Sequence, residues 1–561
     1  MSFWGVKARL FQVCVLVLML WNITHPTGNP NIVTEYGKVM GKQVRVKESD
    51  RIVYAYLGIP FAEPPVDKLR FAPPQPPKAW NGTRNATAYP PLCLQNFSHG
   101  KQLSDFYLGR FPPQATSEDC LYLNIYTPVK PAEQVQLPVM VWIHGGGFVL
   151  GGASLYDGSS LAAFGNVVVV LIQYRLGILG FLSTGDSYAP GNVGLLDQVA
   201  ALQWLQENIQ SFGGDPKDVT LFGESAGSTS VSLHVLSPLS SGLFHKAISE
   251  SGVAFSSLLE RDPKPKAQRL ARSAGCSAID SVSVVECFRN KTSEEIAHVS
   301  PGMGEMAVTP VLDGIFLPKE PEELLQTRKF NRVPYLLGIN NHEVGWLIAH
   351  YLLPPGWKSG IPKNIFLMVM AGLLQKMTVP QEANGIIAEE YLGDMEDPVG
   401  IRDALLDLLG DLLMVMPAVK TARYHRDAGL PVYLYEFQHR PSVYGDSRPE
   451  FVKADHFDEV GFVFGAPFWT EDIVMLADTT KAERQLSKTM MAYWTNFAKN
   501  GDPNGDGLTE WPLYKEDEVY MGLNLNVKPA RKLRDSRVKF WLKTFPEKIA
   551  KLNDAMVHAE L

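Results

Sequence analysis

Gly223-Glu224-Ser225-Ala226-Gly227 places a serine between two glycines, directly after the short apolar, β-prone run Val219–Phe222. A serine in that position acts as a nucleophile when strand turns sharply into helix, because the turn lifts its hydroxyl above the sheet and the flanking glycines let strand and helix approach. The pentapeptide alone is a weak signal, since small residues are common. A second motif strengthens it. The run Val139–Ile143 leads into His144-Gly145-Gly146-Gly147-Phe148. Such a loop presents backbone N–H groups to the negative charge that develops on a carbonyl oxygen during acyl transfer, each donor contributing about 3 kcal/mol. Glycine is needed because side chains would block the approach. A phosphate loop would carry a Lys-Ser/Thr pair after its glycines, and none follows here. The N–H of Ala226, just after the nucleophile, is the expected third oxyanion donor beside those of the glycine loop.

A serine needs a base to take its proton and an acid to orient that base. In a strand–elbow–helix enzyme the order along the chain is Ser, then Asp or Glu, then His. His144 therefore orients its loop and is not the base. Downstream lie His350, His425, His439, His456 and His558. His350 is too close to the acid candidates, His558 is at the extreme C-terminus, and His425 sits in a helical run with Arg423, Arg426 and Asp427 that reads as exposed. His456 lies in a loop about twenty residues past the run Val432–Glu436, where catalytic groups are held above a sheet; position favours it, with His439 next. Two acids compete: Glu343, just after the run Pro334–Gly338, and Asp313, in Pro310-Val-Leu-Asp-Gly. Either also reads as an ordinary loop carboxylate.

The elements that must position these groups form a regular series. β-rich runs occur at 121–126, 137–143, 167–173, 219–222, 247–249, 334–338 and 432–436, with helical patterns between them such as 197–209 and a further one, 481–498, after the last. Strands alternating with helices predict a mostly parallel, twisted sheet covered on both faces. With the elbow and the glycine loop, this is the α/β-hydrolase fold, with helical insertions. The candidate site spans 310 positions, from 146 to 456, so it requires one fold, although 561 residues alone would suggest several domains. The proline-rich patches at 59–77 and 111–113 read as ordered loops. The apolar run Ile365–Leu374 reads as a core helix, with a substrate-channel or membrane-touching segment as the alternative.

The sequence resembles the type-B carboxylesterase and cholinesterase family from about residue 30 to about 545. The similarity lies in Ser117-Glu-Asp-Cys-Leu-Tyr-Leu-Asn124, in Phe212-Gly-Gly-Asp-Pro through Gly227, and in Gly58-Ile-Pro-Phe-Ala, Tyr174-Arg-Leu-Gly177 and Trp494-Thr-Asn-Phe-Ala-Lys-Asn-Gly-Asp-Pro503. The resemblance implies Glu343 as acid and His456 as base, Gly146, Gly147 and Ala226 as oxyanion positions, and the pairings Cys93–Cys120 and Cys276–Cys287, which are also the sequence-local choice. Within the family the chain is most similar to vertebrate endoplasmic-reticulum carboxylesterases of the second, intestinal and liver class, which includes medium-chain fatty acyl-CoA hydrolases. The implied activity is hydrolysis of apolar carboxylic esters, extending to thioesters, amides or acylglycerols, with no cofactor or metal. Two relatives of other function offer alternatives. A neuroligin-like adhesion protein would lack the nucleophile, and here Ser225, Glu343 and His456 are all present. A cholinesterase would hold a tryptophan within its first disulfide loop to bind a quaternary ammonium, and residues 94–119 contain none. A dedicated lipase remains compatible.

The ends of the chain speak to location. Lys7 and Arg9 precede an apolar stretch from Leu10 to Trp21, followed by polar and turn-forming residues. That pattern predicts a secretory signal peptide at 1–27, cleaved somewhere within 22–30; the apolar run is too short to span a membrane. Residues 28–548 are then expected as one catalytic domain and 549–561 as a tail. Cys14 leaves with the signal, so four cysteines remain for an oxidising compartment. The sequons at Asn81, Asn85, Asn96 and Asn290 become candidate glycan sites, while Asn22 falls near the cleavage region. The ending His558-Ala559-Glu560-Leu561 is similar to receptor-read retention signals, with Ala559 in place of their acidic residue. These features predict the endoplasmic reticulum lumen, with a retention receptor as partner, or else secretion. The formal charge of −7 and the lack of a basic run exclude a nucleic-acid partner.

Overall fold

In the computed structural model, the apolar runs become the middle of an 11-stranded mixed sheet. The structure describes residues 29–96, 115–255, 259–300, 308–377, 379–471 and 473–560. Its sheet strands are β1 (Lys42–Val44), β2 (Val53–Pro60), β3 (Tyr122–Thr127), β4 (Leu137–Ile143), β5 (Val168–Ile172), β6 (Gly214–Glu224), β7 (Lys246–Glu250), β8 (Tyr335–Asn340), β9 (Val432–Phe437), β10 (Val519–Leu523) and β11 (Lys528–Arg531). They lie in the order β11-β10-β9-β8-β7-β6-β4-β5-β3-β2-β1. The central pairings, from β10 through β5, are parallel. The pairings at both edges are antiparallel. All seven predicted strands are present. The edge strands β1 and β11 and their neighbours β2 and β10 were not anticipated, and β2 takes in Ile59 and Pro60 from the patch read as a loop. Pro60 is tolerated because it ends the strand, where a missing N–H costs no ladder bond.

The central strands β4 and β5 are apolar at every position because both faces of the sheet are covered. Alternation of side chains divides them between two cores. From β4, Val139, Val141 and Ile143 enter one core, and Met140 and Trp142 the other; from β5, Val168, Val170 and Ile172 face the first, and Val169 and Leu171 the second. Helices α1 (Val193–Asn208), α2 (Ala226–Leu236) and α3 (Lys481–Asn500) include the three expected helical segments. The first core receives Leu202 and Leu205 of α1 and Val231 of α2, and the second Met490 and Trp494 of α3. Because the central strands are parallel, their C-terminal ends share one edge, where the loops after β4, β6, β8 and β9 gather.

The segment read as a core helix forms the helix Lys363–Lys376 and meets that expectation on one face only: Phe366, Met370 and Leu374 are buried, while Leu367 and Met368 are exposed. The helix Phe545–Glu560 runs through the tail boundary expected at 548. Disulfides join Cys93 to Cys120 and Cys276 to Cys287, as expected. The expected signal peptide at 1–27, residues 111–113 and Leu561 lie outside the described residues, and the side chains of 558–560 are likewise not described. Among the described residues no helix is long and apolar enough to cross a membrane.

Candidate active site

Ser225 joins β6 to α2 with φ 58° and ψ −120°, a backbone conformation that costs a non-glycine residue strain and occurs where the surrounding structure enforces it. The enforcement is visible. Ser225 N–H donates to the Glu250 carbonyl of β7 (2.9 Å), and Thr229 N–H donates to the Ser225 carbonyl (2.8 Å). A Cβ on Gly223 would lie 2.6 Å from the Ile143 carbonyl oxygen, and one on Gly227 would collide with the same atom. Every residue from Val219 to Ser237 is buried except Ser225. The elbow therefore brings one hydroxyl toward solvent from an otherwise closed strand and helix.

The glycine loop passes beside that hydroxyl. A Cβ on Gly145 would stand 2.7 Å from the Glu224 carbonyl oxygen and 3.1 Å from Ser225 Cβ. Gly146 and Gly147 have φ 103° and 62°, in the left-handed region that glycine alone enters freely. Among the described residues no hydrogen bond uses the N–H of Gly146, Gly147 or Ala226. His144 supports the loop: Nδ1 donates to the Gly145 carbonyl (2.9 Å), the ring stacks on Tyr174, and the Tyr174 hydroxyl donates to the His144 carbonyl (2.8 Å). Burial pushes its pKa down to about 4, which keeps it neutral.

Glu343 and His456, from loops after β8 and β9, meet in the core beneath this surface. His456 Nδ1 donates to Glu343 Oε2 (2.7 Å). The other carboxylate oxygen of Glu343 accepts from the Ser251 hydroxyl and the Asn340 N–H, both at 2.6 Å. His456 Nε2 stands 3.0 Å from Glu224 Oε1, and among the described hydrogen bonds none joins it to Ser225. Apo enzymes commonly hold their catalytic hydrogen bonds in looser arrangements than the substrate complex requires. Burial opposes a charge on His456, but Glu224 and Glu343 outweigh it and push the imidazole up to about 10. The neighbouring acids are raised by burial, Glu224 up to about 7 and Glu250 up to about 8, while Glu459 is also raised. Several carboxylates around one imidazole cannot all be ionised in a dry site.

The rival residues have other occupations. Asp313 closes a local turn, accepting from the N–H of Ile315 (3.0 Å) and of Leu317 (2.9 Å). His439 Nε2 meets Glu483 Oε1 at 2.9 Å, where Glu483 also caps α3. His425, expected to be exposed, is buried: its ring packs against Phe330 and Tyr335, on the inner face of its helix. Asn81, Asn85 and Asn290 are exposed and Asn96 is half-buried. Asn290 Nδ2 donates to the Glu286 carbonyl (2.9 Å), and Asn85 Oδ1 accepts from Thr87. Among the described residues no group of three or more His, Cys, Asp or Glu is arranged to hold a metal ion. Glu224 as a direct neighbour of His456, and Ser251 and Asn340 as supports of Glu343, were missed from the sequence. Glu224 is the variable residue of its motif, and its partner lies 232 positions away (456 − 224).

Comparison with known proteins agrees with this arrangement. The carboxylesterase family profile matches residues 28–541. The chain is 52% identical over 517 residues to a medium-chain fatty acyl-CoA hydrolase precursor of Anas platyrhynchos, covering 91% of this chain and 92% of the relative. It is 47% identical over 557 residues to liver carboxylesterase 1 of Oryctolagus cuniculus (96% and 97% covered). It is 48% identical over 546 residues to carboxylesterase 5A of Canis lupus familiaris (97% and 94%). A strained serine, a set of backbone donors and a carboxylate-bound imidazole, in a chain so closely related to these proteins, lead to one conclusion: the chain belongs to the carboxylesterase family and is a carboxylic ester hydrolase of the α/β-hydrolase fold.

Proposed function

We propose that Ser225, His456 and Glu343 form the catalytic triad of this esterase. His456 takes the Ser225 proton as the hydroxyl attacks the acyl carbon, and the tetrahedral oxyanion is held by the N–H groups of Gly146, Gly147 and Ala226. His456 then protonates the departing alcohol. Water, deprotonated by His456, releases the acid and regenerates the serine. Glu343 fixes the tautomer with the proton on Nδ1 and stabilises the imidazolium. The observation that carries this reading is the 2.7 Å bond from His456 to Glu343, in a core reached by the elbow of Ser225. Glu224 Oε1 lies 3.0 Å from Nε2; acylation requires Nε2 to accept the proton of the serine hydroxyl.

The substrates we assign are apolar esters, with thioesters, amides and acylglycerols in the same range. The thioester activity in the name of the Anas platyrhynchos relative supports that breadth. Residues 1–27 are proposed as a cleaved signal, 28–548 as one catalytic domain and 549–561 as a tail. Asn81, Asn85, Asn96 and Asn290 are proposed glycan sites, and His558, Ala559, Glu560 and Leu561 a retention signal for the endoplasmic reticulum lumen. The substrate assignment is tested by hydrolysis of p-nitrophenyl esters of rising acyl length beside an acyl-CoA series. Hydrolysis across both series supports it; turnover of long-chain glycerides alone would make the enzyme a dedicated lipase.

A further inference from the structure

Two loops bring the acid and the base together, and a third carboxylate binds those loops to each other. Asp455, fully buried and adjacent to His456, accepts from the N–H of Trp346 through Oδ1 and from the N–H of Leu347 through Oδ2, each at 2.9 Å. Those residues lie just beyond Glu343. On the other side of Glu343, Asn340 Nδ2 donates to the Asp455 carbonyl (2.6 Å) and His342 N–H to the Ala454 carbonyl (2.9 Å). The acid is thus bracketed: the base loop grips the chain before Glu343 through backbone carbonyls and after it through the Asp455 side chain.

The turn that carries Asp455 is itself anchored. Asp455 N–H donates to Asp458 Oδ2 (2.7 Å), and the same oxygen accepts from Arg448 Nη1 (2.6 Å). The Arg448 guanidinium lies over the Tyr444 ring at 3.5 Å. Phe457, within the turn, has φ 79°. A turn held this firmly transmits the position of Asp455 directly to its neighbour His456.

We infer that Asp455 is a positioning residue for the reaction: its carboxylate, shared between two N–H groups beyond the acid, sets the registration of Glu343 against His456. The inference rests on the proposed triad. Asn at this position keeps one accepting oxygen but offers an NH₂ group to the other backbone N–H, so one of the two links is lost. A displacement of about 1 Å between reacting groups can lower turnover about 10²-fold.

The test is Asp455→Asn, with active sites counted by stoichiometric reaction with diethyl p-nitrophenyl phosphate and kcat expressed per counted site on p-nitrophenyl butyrate. Because His456 serves in both halves of the cycle, kcat per site and the phosphorylation rate constant should fall together, by about 10²-fold, with KM changed by less than about threefold. Unchanged turnover per site with only a lowered Tm would overturn the inference, as would a loss confined to KM. Should the variant not fold, Asp455→Glu, which keeps the carboxylate but carries it one methylene further from the two N–H groups, is scored by the same criteria. Ser225→Ala tests the triad separately: if it retains turnover, the triad fails, whereas a dead Ser225→Ala beside an unaffected Asp455→Asn defeats only this inference.

Discussion

Glu343→Gln should nearly abolish turnover while leaving the fold intact. The carboxylate accepts three hydrogen bonds, from His456 Nδ1, the Ser251 hydroxyl and the Asn340 N–H. In glutamine the carbonyl oxygen can keep the Ser251 and Asn340 bonds, which places the NH₂ group against His456 Nδ1. That nitrogen must then accept, so the proton moves to Nε2 and the imidazole can no longer receive the serine proton. Loss of the orienting carboxylate in a Ser-His-Asp triad lowers kcat about 10⁴-fold, equivalent to about 5 kcal/mol of transition-state stabilisation. Volume and two of the three hydrogen bonds are conserved, so Tm should move by only a few degrees. The assay is kcat on p-nitrophenyl butyrate beside thermal unfolding, with Asp313→Asn as comparison. A mild Glu343→Gln and a crippled Asp313→Asn would overturn this assignment, because among the described residues Asp313 accepts from N–H groups of its own turn.

Glu224→Gln removes a carboxylate 3.0 Å from His456 Nε2. Less support for imidazolium means that the base form survives to lower pH, so the acid limb of kcat/KM, expected above the ordinary histidine value of about 6.5 in the wild type, should move down by about one to three pH units; an unmoved limb would contradict the pairing. Gly227→Ala forces a Cβ into the Ile143 carbonyl, where only backbone movement makes room, and should cost about 3 kcal/mol or more with loss of titratable sites; wild-type Tm and site count would show the approach to be less tight. Deleting His558–Leu561 should move most activity into the medium with specific activity unchanged, and equal secretion of both chains would show that the ending is not a working address.

The legible parts of this site were those set by local backbone chemistry. The elbow and the glycine loop are short stretches whose glycines are demanded by contacts with Ile143, Glu224 and Ser225, so each leaves a pattern in the sequence. The central strands were legible because burial on both faces makes them continuous apolar runs. The edge strand Lys528–Arg531 was not, since it is mostly exposed and carries no such signal. Choosing among acids and histidines needed the family resemblance, because Glu343 and His456 are 113 residues apart and their local sequences do not announce a partner. His425 shows the limit of reading charge as exposure: its charged neighbours Arg423 and Arg426 reach Glu518 and Asp427 while the imidazole turns inward. The Glu224–His456 pair and the Asp455 clamp arise only when β6 through β9 are assembled in one sheet.

Ser225 is the proposed nucleophile. Its most direct test is to treat wild type and Ser225→Ala with diethyl p-nitrophenyl phosphate and map the adduct by peptide mass spectrometry. The wild type should carry one phosphorylated residue, Ser225, with stoichiometric release of p-nitrophenol and loss of activity. In Ser225→Ala, folded to the same Tm, there should be no adduct and a kcat lower by about 10⁴- to 10⁶-fold. Undiminished labelling of Ser225→Ala, or an adduct on another residue of the wild type, would contradict that assignment.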